Sequence, residues 1–403
     1  MARGVGDEAG EHEGGGTPRG LGRRRRDTCA QPQHRTPDPR CASHGVKVRR
    51  NRYLASMSER ERARAAALRH IRDARAAEAS PADWAAALAA GDRDALARAI
   101  TLVESRRAAD RPAAHAILQA VLEAAPDAGA TSLRIGITGV PGAGKSTLIE
   151  RWGASWAEAG YRVAVLAVDP SSARSRGSLL GDKTRMEGLV QREDVFVRPS
   201  PAADTLGGVA RATREAILLC EAAGYNLILV ETVGVGQNET AVRALTDLFL
   251  LLALSGAGDD LQGIKRGIME LADVVFVNKS DRGGEAAAQR AAGMLESALH
   301  LLPAPPSGTP VPVLSGSGLE GAGLAELTST VLQCAEAWRA SGYFAHQRSA
   351  QTESAFADHV RNLVYDDARA RLDGDRRYER LQTAVQRGQI SAFSAAWDYV
   401  HGA

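Results

Sequence analysis

The chain has 403 residues, enough for two or three domains at about 150 residues each, and a 44% hydrophobic content that can build a sizeable core. Fifty Lys and Arg against 48 Asp and Glu leave a formal charge of +2, so bulk charge gives no argument for nucleic acid as a partner. Four scattered cysteines (Cys29, Cys41, Cys220, Cys334) without a CxxC exclude a disulfide framework and structural zinc, and point to a reducing, cytoplasmic compartment. No apolar run approaches the roughly 18 residues that span a bilayer, so no membrane partner is expected.

Residues 1–56 read as a disordered basic leader, because Gly14–Gly16, Arg23–Arg26, Pro32, Pro37 and Pro39 offer no periodic apolar face. Asp7, Glu8, Glu11 and Glu13 argue against a mitochondrial address, since transit peptides are acid-poor. Arg23–Arg26 reads as a solvated tail, with a nucleic-acid or lipid contact as the alternative. Met57 opens a better-behaved stretch, so the leader could also be sequence upstream of the native start.

Residues 57–128 are expected to be an N-terminal helical segment. From Pro81 to Glu123, Leu96, Ile100 and Val103 fall at helical spacing, and Ile117, Val121 and Leu122 continue a similar stripe. Both stripes read as core. Pro126-Asp127-Ala128-Gly129 marks a boundary. Residues 129–338 then alternate short apolar runs with helix-length segments. The runs 135–138, 163–168, 227–230, 248–253, 274–277 and 311–314 read as buried strands. The class is α/β: a doubly wound, mostly parallel sheet of the P-loop NTPase type with N- and C-terminal helical extensions. Residues 339–403 form the C-terminal segment. Two or three helices over 352–401 carry Phe356, Val360 and Val364 on one stripe, which packs on its own domain or on a second subunit.

The chemistry sits at the strand ends. Gly139-Val140-Pro141-Gly142-Ala143-Gly144-Lys145-Ser146, with Thr147 next, matches GxxxxGK[ST] between a strand and a helix. Glycines let backbone N–H groups wrap phosphates closely, and the helix N-terminus favours anions. Lys145 should reach the outer phosphates, and Ser146 should take one position on Mg2+. Asp169 ends the second strand, Asp182 lies in Gly181–Met186, and Glu231 ends the strand 227–230. Such carboxylates suit magnesium, although each could be a helix cap or a surface charge. Glu231 is followed by Thr232-Val233-Gly234, the pattern of a γ-phosphate sensor in which Gly234 gives a backbone N–H. Val235 stands where many small GTPases carry a water-orienting glutamine, with Gln237 two positions on, so intrinsic hydrolysis is expected to be slow. The loop 255–267 ends in Lys265-Arg266. Lys265 could neutralise charge on the transferring phosphoryl group, or simply open the next helix as a solvated cation.

Asn278-Lys279-Ser280-Asp281 follows a strand as NKxD. Two acceptor oxygens on Asp281 fit the ring N–H and exocyclic amine of guanine, and the Lys279 stem should lie along the base. Ser315-Gly316 could add backbone contacts to the base oxygen or be a plain strand-end turn.

Together these residues resemble the MeaB/ArgK-type GTPases associated with adenosylcobalamin-dependent methylmalonyl-CoA mutase. The likeness rests on 139–147 (GVPGAGKST), 167–172 (AVDPSS), 177–186 (GSLLGDKTRM), 231–237 (ETVGVGQ), 258–267 (GDDLQGIKRG) and 278–281, and covers roughly 85–400. Ser280 departs from the family, which usually has alanine there. The resemblance implies GTP/GDP and Mg2+ as ligands, with the metal on Ser146, Asp169, Asp182 and Glu231. It also implies a third switch loop at 256–267 with Lys265 responsive to nucleotide, and a homodimer through the C-terminal helices. Functionally it implies a GTP-gated chaperone that loads and protects an adenosylcobalamin-dependent acyl-CoA mutase. Two alternatives stay open: a nickel metallochaperone GTPase, which should show a Cys/His motif near the switch, and a P-loop kinase, which needs an acceptor pocket and a base.

Overall fold

Short apolar runs become strands here because both faces of a parallel sheet are covered, and alternate residues feed separate layers of core. The computed structural model describes residues 79–105, 107–169, 186–201, 208–232, 239–254, 266–281, 283–372 and 374–402. All of them belong to the compact unit Glu78–Ala403.

Three helices come first: α1 (Pro81–Ala89), α2 (Arg93–Val103) and α3 (Arg111–Ala124). The alternating region follows as β1 (Leu133–Gly139), α4 (Lys145–Glu158), β2 (Val163–Asp169), α5 (Glu187–Val190), β3 (Val195–Pro201), α6 (Gly208–Ala222) and β4 (Leu227–Thr232). It continues with α7 (Glu239–Arg243), β5 (Leu248–Leu254), α8 (Arg266–Met269), β6 (Val274–Asn278), α9 (Glu285–Leu299) and β7 (Val313–Ser315). The chain closes on α10 (Leu324–Ser341), α11 (Tyr343–Leu372), α12 (Arg376–Gln386) and α13 (Ala392–His401). The helix starts are written locally. Ser80 caps α1 in a capping box with Asp83, and Pro81 stands at the first helical turn.

The strands lie in the order β3-β2-β4-β1-β5-β6-β7, and all pairings are parallel. Leu133, Ile135 and Ile137 of β1 face a layer built with Leu148, Ile149 and Trp152 of α4 and Leu327 and Val331 of α10. Ala164, Leu166, Ile228 and Val230 face the other side, against α1 to α3 and α6. A third cluster joins Leu251, Val275 and Val277 to α8 and α9. β1 stands between β4 and β5, so the winding reverses there. Ligands of open α/β sheets bind outside the carboxyl ends of the strands at such a switch point.

Several differences from the sequence reading have physical causes. β3 was not expected, because Pro199 and Pro201 break its apolar run. It is an edge strand paired only with β2, where a missing N–H is tolerated. The last strand spans Val313–Ser315 rather than 311–314, which puts Ser315 on the strand itself. The helix after the glycine-rich loop, which the sequence predicts over 147–158, starts two residues earlier, at Lys145. Leu96, Ile100, Val103, Ile117 and Val121 are buried as expected, but Leu122 is 44% exposed, one position round the helix from the core face. The C-terminal stripe is also exposed, with Phe356, Val360 and Val364 at 71%, 44% and 64%.

Candidate functional site

β1 delivers the chain to Gly139 with φ +154°, where an added Cβ would lie 2.5 Å from the Leu252 carbonyl oxygen of β5. Only glycine lets two strands approach so closely at this turn. Gly144, at φ +89°, is the second requirement: a Cβ there would meet Asn278 Nδ2 at 2.6 Å. α4 starts directly afterwards, and no side chain caps it. Its first N–H groups are therefore the donors that a helix N-terminus presents to an anion.

Lys145 lies back over its own loop. Its Nζ donates to the carbonyl oxygens of Gly139 at 2.8 Å and Val140 at 3.4 Å, and the residue is 8% exposed. Burial holds its ammonium below the ordinary lysine range, and the carboxylates of Glu231 and Glu239 pull it back up. Ser146 Oγ donates to Glu231 Oε1 at 2.9 Å across the β1–β4 boundary. Just beneath, Thr232 Oγ1 bonds to Thr138 Oγ1 at 3.1 Å and to the Ile137 carbonyl oxygen at 3.3 Å, fixing the two strand ends together. A hydroxyl and a carboxylate oxygen this close form the hard-oxygen pair that Mg2+ accepts while keeping several waters, so the residues present fit that ion. Asp169 ends β2 at the same edge, two positions beyond Ala167, whose register partner is Glu231. Asp182, Gly234 and Lys265 lie outside the described residues, as does the side chain of Asp169. Among the described residues, no three His, Cys, Asp or Glu side chains gather as a metal site.

The NKxD segment is tied to this loop directly. Asn278 is buried, its Nδ2 donates to the Ala143 carbonyl oxygen at 2.7 Å, and its Oδ1 accepts from Gly318 N–H at 2.7 Å. One side chain thus staples the phosphate loop to the turn after β7. Lys279 follows with φ +66°, the one non-glycine residue of positive φ among those described. Such a conformation costs about 1–3 kcal/mol and persists where the surroundings enforce it. Here the enforcement is visible: Ser280 N–H donates to the Gly316 carbonyl oxygen at 3.0 Å, and Gly316 N–H to that of Val277 at 2.9 Å. The Gly316 N–H is therefore engaged within the sheet. Ser280, the departure from the family, is buried beneath that turn.

Two residues escaped the sequence reading. Ser317, fully buried, donates its hydroxyl proton to Asp281 Oδ1 at 2.9 Å while its Oγ accepts from Glu320 N–H at 3.1 Å. The hydroxyl is thereby oriented, and the Asp281 carboxylate with it. Its only signal was a second serine two positions after Ser315. Glu239, buried in the first turn of α7, is the other. It sits in no periodic pattern that would announce burial.

Comparison with known proteins agrees with this geometry. The family model described as methylmalonyl Co-A mutase-associated GTPase MeaB matches residues 96–373. A chain named as a GTPase from Caulobacter vibrioides is 52% identical over 310 residues, covering 77% of this chain and 93% of that one. GTPase ArgK of Escherichia coli is 42% identical over 314 residues, with 78% and 94% covered. The mouse methylmalonic aciduria type A homolog, a mitochondrial protein by its name, is 47% identical over 270 residues, with 66% and 65% covered. Among solved structures, that of an LAO/AO transport system kinase superposes with a TM-score of 0.61 at 35% identity, over 80% of this chain and 97% of that one. With the P-loop fold in place and relatives named as GTPases matched over nearly their whole length, the chain belongs to the MeaB family of methylmalonyl-CoA mutase-associated GTPases and is itself a GTPase.

Proposed function

We propose that GTP binding and hydrolysis in this chain gate the loading and protection of an adenosylcobalamin-dependent acyl-CoA mutase, methylmalonyl-CoA mutase first among the candidates. The observation that supports the nucleotide half of this reading is the Asn278 bridge, because one buried side chain ties the NKxD turn directly to the phosphate loop. The family description supports the mutase half.

In this reading Lys145 and the N–H groups of 139–147 hold the phosphates, and Asp281, steadied by Ser317, reads guanine with Asn278 and Lys279 beside it. Ser146 and Glu231, with Asp169 and Asp182, hold Mg2+, which when bound neutralises charge between the outer phosphates. Gly234 senses the γ-phosphate through its backbone N–H, and Lys265 supplies a cation to the transferring group. The stretches 171–186, 231–240 and 256–267 order against GTP and relax on hydrolysis. Cobalamin stays with the partner enzyme.

The exposed stripe Phe356, Val360, Leu363 and Val364 of α11, with Phe393, Trp397 and Val400 on α13, supports a homodimer through the C-terminal helices. A cytoplasmic setting without membrane or nucleic-acid partners completes the proposal. No helix among the described residues is long and apolar enough to cross a membrane. The nickel reading has less support, since Cys220 and Cys334 are buried in core layers on opposite faces of the sheet.

GTP turnover, measured with and without methylmalonyl-, isobutyryl- and ethylmalonyl-CoA mutases, tests the proposal. A cognate mutase should raise the rate about tenfold or more, as partner-supplied or partner-ordered groups do in this chemistry. An unchanged rate across all three removes that partner class. Phosphorylation of a small molecule or protein at the expense of ATP would favour the kinase alternative.

A further inference from the structure

One face of α4 holds more than the Ser146 hydroxyl. Glu150 and Gly153 stand four and seven positions after Ser146, so the three share a stripe along the helix. Ser146 closes onto Glu231 at the end of β4, and Gly153 faces Leu229 of the same strand. Between them, Glu150 Oε1 accepts from Gly188 N–H of α5 at 3.2 Å. Gly153 opens a notch for Leu189: a Cβ there would lie 3.3 and 3.5 Å from the two methyl carbons of that leucine. Met186 and Leu189 are both buried in the layer between α4 and the sheet. α5 has four residues, too few to hold a helical turn unaided. Its place is set by the notch and by Glu150, with β3 beside it.

The mooring matters because of what precedes it. Asp182 stands four positions before Met186, outside the described residues. Four residues of chain span at most roughly 14 Å, so the carboxylate assigned to Mg2+ is tethered to a point fixed on the helix that carries Ser146. A ligand holds its metal tightly only when the groups that support it are fixed as well.

We propose that Glu150 and Gly153 position Asp182 for Mg2+ by mooring α5 on the phosphate-loop helix. The proposal rests on the reading that Asp182 is a ligand of that ion.

The test uses the full chain as Glu150→Ala, Glu150→Gln, Gly153→Val and Asp182→Ala, with Asp182→Ala also combined with Glu150→Ala and with Gly153→Val. The Mg2+ concentration that half-saturates GTP binding is measured, beside GDP affinity in excess EDTA and amide exchange in the nucleotide-free, metal-free protein. Glu150→Ala and Gly153→Val should raise the half-saturating Mg2+ about tenfold, as loss of a ligand's support does. Exchange at Gly188 should quicken in both, and metal-free GDP affinity should match the wild type. Glutamine at 150 keeps the acceptor oxygen, so Glu150→Gln should restore the wild-type Mg2+ requirement. If Gly153→Val folds poorly, the two Glu150 variants read the same effect. Equal effects of Gln and Ala at 150 would assign the charge of Glu150 and not its hold on α5, and would overturn the proposal. So would an unchanged Mg2+ requirement in Glu150→Ala, or an equal loss of metal-free GDP binding, which would report damage to α4 itself. In the Asp182→Ala background neither variant should raise the requirement further; additive effects would show that the mooring does not act through Asp182. If Asp182→Ala alone needs no more Mg2+ than the wild type, the assignment of Asp182 fails and takes the proposal with it, while exchange at Gly188 still reports the mooring.

Discussion

Replacing Asp281 with asparagine is expected to exchange guanine preference for xanthine preference. The carboxylate offers two acceptors where guanine presents two donors, its ring N–H and its exocyclic amine. An asparagine offers one acceptor and one NH2. The orientation of the amide is not free. Ser317 Oγ already accepts from Glu320 N–H, so its own proton points to the oxygen at position 281. The amide NH2 is then left toward the base, against the amine of guanine but toward the carbonyl of xanthine. GTP affinity should fall on the order of 10³-fold, because unpaired buried donors are what such sites reject most strongly. Xanthosine triphosphate should gain by a similar factor. Competition against a fluorescent GDP reads both numbers, and a variant that kept its GTP affinity would remove Asp281 from base recognition.

The second large effect lies at the opposite edge of the sheet. Asp247 precedes β5 and is almost completely buried. It accepts from Arg134 N–H at 2.8 Å and from Arg348 Nε and Nη2 at 2.7 and 2.6 Å. Arg348 also donates to the carbonyl oxygens of Gly129 and Ser132, at 2.5 and 3.1 Å. One turn on, Gln351 Nε2 donates to the Thr246 carbonyl oxygen at 2.8 Å. The first turns of α11 are thus fastened to the amino ends of β1 and β5. Asp247→Ala would strand a largely buried guanidinium and orphan a strand N–H. The expected loss is about 4 kcal/mol, or roughly a 10 °C fall in Tm. Removing both charges, as Asp247→Leu with Arg348→Met, should recover only the part owed to the stranded guanidinium, because the Arg134 N–H still lacks its acceptor. GDP affinity of the folded protein should not change, since the nucleotide edge is not touched. A single-variant loss under 1 kcal/mol would show that this network does not hold α11.

Six of the seven strands among the described residues were legible, five because a strand covered on both faces must be apolar throughout, as Leu248–Leu254 is, and the edge strand β7 because it keeps a short apolar run free of glycine. β3 was not, since an edge strand is under no such demand and carries two prolines. The order of the strands, with β4 slipped between β2 and β1, is set by long-range packing and has no local signature. For the site, glycine spacing and strand ends pointed to Lys145, Ser146, Glu231 and Asn278, which the fold brings to one edge through hydrogen bonds of 2.7–2.9 Å. What local pattern could not supply was support. Ser317 is a single polar residue, and only its buried hydrogen bond to Asp281 gives it meaning. Leu122 shows the converse, an apolar residue in the right run but on the wrong side of α3.

One binding measurement bears on all of this at once: calorimetric titration of the wild-type chain with GTP and with ATP, magnesium present in both. Guanine and phosphate recognised together at the β1–β6 edge predict a preference for GTP of roughly 10³-fold or more. Affinities within tenfold of each other would mean that Asp281 and Lys145 do not serve the same nucleotide.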